Sequence, residues 1–491
     1  MKRQRFASPR ALSRLFQEAA DAWKLQDYLR TIDILERASN LDPANVSIQL
    51  DLGRAYGLRY MYPQAEACFE KAVRVSLQKV EALAEAGRRC QEFGSYEMAN
   101  LSKPMYHRLN RRDFTKATVL ASVAAAAGVL SVRGAEPRRI RTGVIGCGSV
   151  SHSYLPVLAK CPYVELVSLC DIRPERARDQ AAKFGVAHYY PHIDAMLGGE
   201  PFTFLINLTD MQEHEHLNRQ ALEAGKHVWS EKPIANSLGA GQKLLRTARQ
   251  KRLRLWGAPI TVQSPQFAFM AQTLAQGVLG RIAAAHADYG HEGPNWSSFF
   301  YEKGGGSMPD LMVYNLTSLT GLLGPARHVT ALLSIVTPER EISGKGRVKV
   351  TEEDNSMVLL DHGQGVLSHV QSGFNYFNPH GHDGSGEQRH TISITGSTGF
   401  LGLVGYDWAP QGVDLATQLH PKLERHATDA KGYVWQQGAA LAAECLATGR
   451  ELLVTPEHAL HVLEIITAAR ESQNSGRRIK LTSSFTWPIK T

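Results

Sequence analysis

Ile140-Arg141-Thr142-Gly143-Val144-Ile145-Gly146-Cys147-Gly148-Ser149-Val150-Ser151 is a short apolar run that ends in a glycine turn and leads into a helical pattern. Apolar residues crowded over so few positions suit a strand covered on both faces, and glycines directly after it suit a chain that must reverse sharply. Gly146 allows the tight turn and Gly148 lets the backbone approach a pyrophosphate. The helix that follows offers N–H groups and the positive end of its dipole, with Ser149 and Val150 at the point of contact. Ser151 stands where the dinucleotide fingerprint has its third glycine and is small enough to keep helix and strand close. About 25 residues on, Asp171 ends the next apolar run, where a carboxylate accepts hydrogen bonds from ribose hydroxyls. That carboxylate repels a 2′-phosphate, so NAD is preferred; Arg173 leaves NADP open.

Outward from this turn, short apolar runs alternate with helical patterns, as expected of a parallel sheet covered on both faces. Strands are predicted at Ile140 to Ile145, Val164 to Cys170, Phe204 to Leu208 and His227 to Ser230. Together they define an α/β Rossmann domain over residues 139–258. Beyond it the runs alternate, at Val348 to Val350, Ser356 to Asp361, Gly365 to Ser372 and Thr391 to Thr395. That pattern predicts an α+β domain over 259–491 with a large, mainly antiparallel sheet, closed by a packing helix from Pro456 to Ser472.

The segment Ala221-Leu222-Glu223-Ala224-Gly225-Lys226-His227-Val228-Trp229-Ser230-Glu231-Lys232-Pro233-Ile234-Ala235 is very similar to the Glu-Lys-Pro segment of the Gfo/Idh/MocA oxidoreductases, the glucose-fructose oxidoreductase and inositol dehydrogenase type. The resemblance implies that Glu231, Lys232 and Pro233 border the cofactor, that Lys232 lies beside nicotinamide and substrate, and that the peptide before Pro233 is cis. Gly304-Gly305-Gly306-Ser307-Met308-Pro309-Asp310-Leu311-Met312-Val313-Tyr314 resembles the glycine-rich approach to that family's active-site helix. Most members carry histidine where Tyr314 stands and glycine where Met312 stands, but the glucose-fructose oxidoreductase and dihydrodiol dehydrogenase branches also use tyrosine. Spacing of four puts Asp310 and Tyr314 on one helical face. Thr209 matches the family's threonine beside the dinucleotide, although Asp210 and Met211 replace its usual proline and asparagine.

The resemblance implies hydride transfer between nicotinamide and a carbinol carbon of a sugar, cyclitol or related polyol. Lys232 and Tyr314 are the candidate acid/base pair, and Asp310 holds the substrate and the lysine. A cationic nicotinamide nearby is expected to lower both of their pKa values toward the working range. His152 and His214 are read as structural. His380, His382 and Asp383 lack strict ligand spacing, so no metal site is assigned. Trp296, Phe299, Phe300 and Tyr301 suit either a platform for a sugar ring or core.

Upstream, Tyr28, Tyr62 and Tyr96 mark a 34-residue period shared by Ala38/Ala72, Leu35/Phe69 and Gly53/Gly87. This resembles all-α tetratricopeptide repeats over residues 1–104, the third degenerate at Lys103-Pro104, with a peptide or protein as possible partner. Residues 105–138 form a basic, Ala-rich linker in which Arg111-Arg112 and the run from Ala117 to Leu130 resemble a twin-arginine signal. Export to the periplasm follows if that signal works, and a cytoplasmic location otherwise. Between Arg108 and Arg141 eight Lys/Arg face two Asp/Glu, so much of the net charge of +8 is local, and no nucleic-acid motif accompanies it. A hydrophobic content of 43% and a charged content of 21% argue against a disordered or multi-spanning chain. The six cysteines form no CxxC pair, which excludes the common zinc and thioredoxin patterns. Family resemblance implies a homodimer or homotetramer through the open face of the second sheet. Two other readings stay open: an NAD-dependent glycosidase working through transient oxidation, and a repeat scaffold carrying an inactive dehydrogenase-like domain.

Overall fold

A computed structural model describes residues 9–24, 28–58, 62–76, 137–377 and 389–490. The chain divides into two units, Met1–Gly134 and Ala135–Thr491.

In the first unit four helices follow one another, α1 (Pro9–Lys24), α2 (Tyr28–Leu41), α3 (Val46–Leu58) and α4 (Tyr62–Val75), each packed on the next. Small residues make the approach possible. Ala38, Ala55, Ala65 and Ala72 are fully buried, and a side chain at Gly53 would come within 2.7 Å of the Phe69 ring. The Tyr56 hydroxyl donates to Glu36 across the α2/α3 pair. Gly87, Tyr96, Lys103-Pro104 and the twin-arginine-like segment to residue 136 lie outside the described residues, as do His380, His382 and Asp383. Among the described residues no helix is long and apolar enough to cross a membrane.

The second unit opens with a six-stranded parallel sheet built from β1 (Ile140–Ile145), β2 (Val164–Cys170), β3 (His188–Tyr190), β4 (Phe204–Asn207), β5 (His227–Ser230) and β6 (Leu255–Gly257), in the order β3-β2-β1-β4-β5-β6. The helices between them are α5 (Ser151–Lys160), α6 (Pro174–Phe184), α7 (Ile193–Leu197), α8 (His214–Glu223) and α9 (Leu238–Gln250). Local chemistry sets their ends: Pro174 opens α6 and Gly185, at φ +67°, closes it, while the Ser237 hydroxyl accepts from the Ala240 N–H to cap α9. The strand order reverses between β1 and β4, and the crevice at their carboxyl ends is where such sheets bind ligands.

After α10 (Pro265–Ala275), a nine-stranded sheet follows. Its strands are β7 (Ile282–Gly290), β8 (His328–Ser334), β11 (Asn355–Gly363), β12 (Val366–Gly373), β13 (His390–Gly396), β14 (Gly399–Tyr406), β15 (Ala409–Thr417), β16 (Glu424–His426) and β17 (Ile479–Lys480). The hairpin β9 (Glu339–Ile342) and β10 (Gly346–Lys349) forms a sheet of its own. All pairs in the large sheet are antiparallel except β7 with β12. One face is covered by α11 (Val313–Leu323) and α13 (Pro456–Ser475); between them in sequence, α12 (Gly438–Thr448) packs on α5 of the parallel sheet. The other face leaves Leu332, Met357, Leu359 and Leu367 exposed.

Helix α13 is anchored by two buried histidines. His458 Nε2 lies 2.8 Å from Thr320 Oγ1, and His461 Nε2 accepts from the Ala326 N–H at 3.0 Å. Burial pushes His458 down to about 3 and His461 down to about 4, so both are neutral in the fold. The unfolded chain takes up these protons below about pH 6.5, so the stability they confer is present above that pH and lost as pH falls toward 4. The expected result is a stability loss on the order of a few kcal/mol between pH 6.5 and 4, measured by denaturant unfolding, and a shallower slope for His461→Gln.

Candidate active site

A cleft of about 1630 Å³ runs from the carboxyl ends of β1, β2 and β4 to the inner face of the second sheet. At one end lies the glycine turn. Gly146 has φ +91°, and a Cβ there would meet the backbone of Leu208 at 2.5 Å. A Cβ on Gly148 would meet only Arg176 Nη1, at 3.5 Å, so this side of the turn is open to the cleft. Ser149 and Val150 line the same space, and the buried Ser151 hydroxyl donates to the Gly148 carbonyl at 2.6 Å. The Asp171 carboxylate accepts the Cys147 N–H at 2.8 Å through one oxygen and the Arg173 N–H at 2.8 Å through the other. Two charge-assisted bonds hold its plane at the mouth of the turn. Ile172, 82% exposed, lines the cleft next to it with Arg173 and Arg176. An open glycine turn, an adjacent fixed carboxylate and an exposed apolar side chain fit a dinucleotide's pyrophosphate, ribose and adenine in turn.

The other end is built by β5 and the helix after the triple glycine. The Lys232–Pro233 peptide is cis. Lys232 Nζ donates to Asp310 Oδ1 at 2.8 Å and to the Asp310 carbonyl at 2.7 Å, and sits 5.2 Å from the centre of the Tyr314 ring. Asp310 belongs to a π-turn, Met308–Met312, that runs into α11, so the four-residue spacing to Tyr314 crosses from wider to tighter winding. Both still line the cleft. Glu231 is buried, accepting the Tyr154 hydroxyl at 2.5 Å and the Lys232 N–H at 3.2 Å.

Beneath these residues, side-chain bonds fix the strand ends. Thr209 Oγ1 donates to Asn207 Oδ1 at 2.7 Å. Asn207 Nδ2 donates to Asn218 Oδ1 at 2.9 Å, and Asn218 Nδ2 donates to the Ile234 carbonyl at 3.0 Å. His214, fully buried, places Nδ1 2.8 Å from the Pro233 carbonyl and Nε2 2.9 Å from the Thr209 carbonyl, bridging the two cleft segments. His152 is exposed and does not border the cleft. Asp210 and Met211 do border it.

The protein's own groups act on Tyr314 against the lowering expected of a cationic nicotinamide. Burial first, then the charges of Glu231, Tyr289 and Asp310, push its phenol well above the usual value rather than toward neutrality. The protein environment therefore holds Tyr314 as a neutral hydrogen-bond donor. Sequence reasoning also missed the aromatic wall of Tyr289, Trp408 and Trp435. Trp408 stacks on Tyr406 at 5.4 Å and Trp435 meets Tyr154 edge-on at 6.3 Å. These residues come from β7, the β14/β15 turn and the 3-10 turn that leads into α12; none lies in a motif, and no spacing links them. Of the aromatic run near 300, Trp296 (52% exposed), Phe299 and Phe300 line the cleft, while Tyr301 is core.

Residues 140–258 match the oxidoreductase family with NAD-binding Rossmann fold, and residues 267–401 match the GFO/IDH/MocA C-terminal domain. An uncharacterized oxidoreductase of Synechocystis sp. is 26% identical over 229 residues, which is 45% of this chain and 62% of that protein. The dTDP-3,4-didehydro-2,6-dideoxy-alpha-D-glucose 3-reductase of Actinomadura kijaniata is 28% identical over 227 residues, 46% of this chain and 68% of that protein. Levoglucosan dehydrogenase, solved with NADH, superposes with a TM-score of 0.61 at 18% identity, over 70% of this chain and 100% of that one.

Proposed function

We propose, for a chain that belongs to the Gfo/Idh/MocA oxidoreductase family, an NAD-dependent dehydrogenase or reductase acting on a CH–OH group of a sugar or sugar-like polyol. The convergence of Lys232, Asp310 and Tyr314 at one end of a cleft whose other end fits a dinucleotide carries this reading. Bound NAD supplies the hydride chemistry at carbon 4 of its nicotinamide. Gly146, Gly148, Ser149, Val150, Asp171, Arg173 and Thr209 would hold it from the turn to the β4 end, with Glu231 and Pro233 beside the reacting ring.

The chain's own residues position the carbinol and handle its proton. Tyr314, kept neutral by burial, donates a hydrogen bond to the reacting oxygen. On reduction Lys232 Nζ, as the ammonium that Asp310 holds, gives a proton to the carbinol oxygen, and on oxidation the neutral amine takes that proton back. Asp310 fixes Nζ within 2.8 Å and leaves its second oxygen for a neighbouring hydroxyl. The relatives named as sugar reductase and levoglucosan dehydrogenase support a carbohydrate substrate. The aromatic wall supports it too, because sugar C–H faces pack on indole rings. Mixing NAD with a panel of aldoses, cyclitols and sugar nucleotides and following nicotinamide reduction tests the reading. Release of free sugar without net reduction would point instead to the glycosidase. Absence of dinucleotide binding in a fluorescence titration would leave the scaffold.

Trp296 stands over the outer cleft. Trp296→Ala is expected to raise KM about three- to tenfold with kcat little changed, as loss of one stacking contact predicts. The exposed row Leu332, Met357, Leu359 and Leu367 supports self-association through the open sheet face, since monomers seldom leave such a patch bare. Leu332→Asp with Leu359→Asp should convert an oligomer to monomer in light scattering of the full chain. The four N-terminal helices support the repeat reading, whose partner would be a peptide or protein segment.

A further inference from the structure

Three glycines in succession give a segment with little conformational preference, yet Gly304–Gly306 directly precedes the turn that carries Asp310. Something outside the loop must hold it. The Gly304 N–H donates to Glu352 Oε1 at 3.0 Å. The Gly305 carbonyl accepts from Arg470 at 2.6 Å. The Ser307 N–H donates to the Glu353 carbonyl at 2.9 Å and the Met308 N–H to Glu353 Oε1 at 3.3 Å. Arg470, on α13, closes the set with 3.1 Å to Glu353 and 3.5 Å to Glu352. Gly306, at φ +105°, is where the carboxylate enters, since any Cβ there would collide with Glu353. The glycine run thus admits a buried acid that fastens the loop's far end.

We propose that Glu353 and Arg470 are positioning residues: an ion-paired clamp from the last long helix that sets the π-turn so that Asp310 meets Lys232. This rests on the dehydrogenase reading above for its catalytic consequence, though not for its structural one. The charged groups facing Glu353 are Arg470 from α13 and Glu352 from its own segment; the π-turn and the glycine loop present backbone N–H and carbonyl groups. Asp310 is turned to Lys232.

Burial raises the Glu353 carboxyl to about 7, with Arg470 opposing. Glu353 and Arg470 therefore form an ion pair above neutrality, and below it a neutral acid faces the guanidinium. A raised carboxyl pKa means that the fold binds this proton more tightly than the unfolded chain does. Stability contributed by the group is thus full below pH 4.5 and falls as pH rises toward 7, so the ionised clamp is maintained at a cost to the fold.

The test uses the full chain, Glu353→Gln, Arg470→Lys and Arg470→Met. Amide hydrogen exchange over residues 304–312, corrected for intrinsic rate, should quicken on the order of tenfold in Glu353→Gln and Arg470→Met, with Arg470→Lys between them and wild type. On the substrate found for the wild type, kcat should fall on the order of tenfold or more, NAD affinity should hold, and the fall in kcat below pH 7 should vanish in Glu353→Gln. The melting-temperature difference between Glu353→Gln and wild type should move in the variant's favour as pH rises from 5 to 8, the contributions of His458 and His461 being common to both. Unchanged exchange over 304–312, or faster exchange with wild-type kcat and an unaltered acid limb, overturns the clamp. A wild type that reduces no dinucleotide with any carbinol substrate sinks the dehydrogenase reading and leaves the exchange result to decide the clamp.

Discussion

Lys232→Met will bind NAD within about twofold of wild type yet turn over on the order of a thousandfold more slowly, the range expected when a positioned acid/base is removed. Methionine keeps the unbranched stem, so the packing along β5 changes little, and the glycine turn and Asp171 hold the other end of the cofactor. What disappears is the one nitrogen that Asp310 grips through both its side chain and its carbonyl. Asp310, with a side chain only 13% exposed, then loses its counter-ion, so a secondary loss of stability of about 3–5 kcal/mol accompanies the kinetic one. Stopped-flow nicotinamide absorbance, fluorescence titration and a denaturant melt on the same preparation separate the three effects. Wild-type turnover would remove Lys232 from the mechanism altogether.

Gly146→Ala carries the second large expectation, and Gly148→Ala is its control. At Gly146 the new methyl would stand 2.5–2.7 Å from backbone atoms of Leu208 and Thr209, directly after β4, a strand paired on both sides. The residue's φ of +91° is costly for any side chain in addition. Overpacking and backbone strain together cost roughly 2–6 kcal/mol. The expected outcome is a markedly lower melting temperature and a loss of NAD affinity beyond a hundredfold. Gly148→Ala meets nothing closer than Arg176 Nη1 at 3.5 Å, so its melt should match wild type while NAD binding weakens. Equal destabilisation by both would mean that the turn is fold architecture alone.

Elements with a repetitive physical cause could be read from the sequence alone. Buried parallel strands are dense in apolar residues, so Ile140–Ile145, Val164–Cys170 and His227–Ser230 appear with the predicted bounds. His188–Tyr190 and Leu255–Gly257 are three residues each, too short for any period to register. The predicted helix from Pro456 begins on its Thr455 cap and runs three residues past Ser472, to a glycine stop at Gly476. In the cleft, residues joined by local motifs were visible, and those joined only by folding were not: Trp408, Trp435, Glu353 and Arg470 owe their positions to pairings scores of residues apart. The protein's upward push on Tyr314 was out of reach for a related reason. Its pKa answers to Glu231, Tyr289 and burial, which only the assembled structure brings together.

The last long helix has one more implication, for the order of events during synthesis. Leu460 and Leu463 share a core with Leu244, Leu245 and Leu255, and Gly241 is a glycine because Leu460 lies where its side chain would be. A ribosome that has finished the six parallel strands has therefore made a nucleotide-binding lobe with an uncovered oily flank, and some two hundred further residues must emerge before the cover arrives. Newly made chains should acquire cofactor affinity only once Pro456–Ser475 has emerged, and truncation before residue 456 should yield a sticky intermediate rather than a smaller working enzyme.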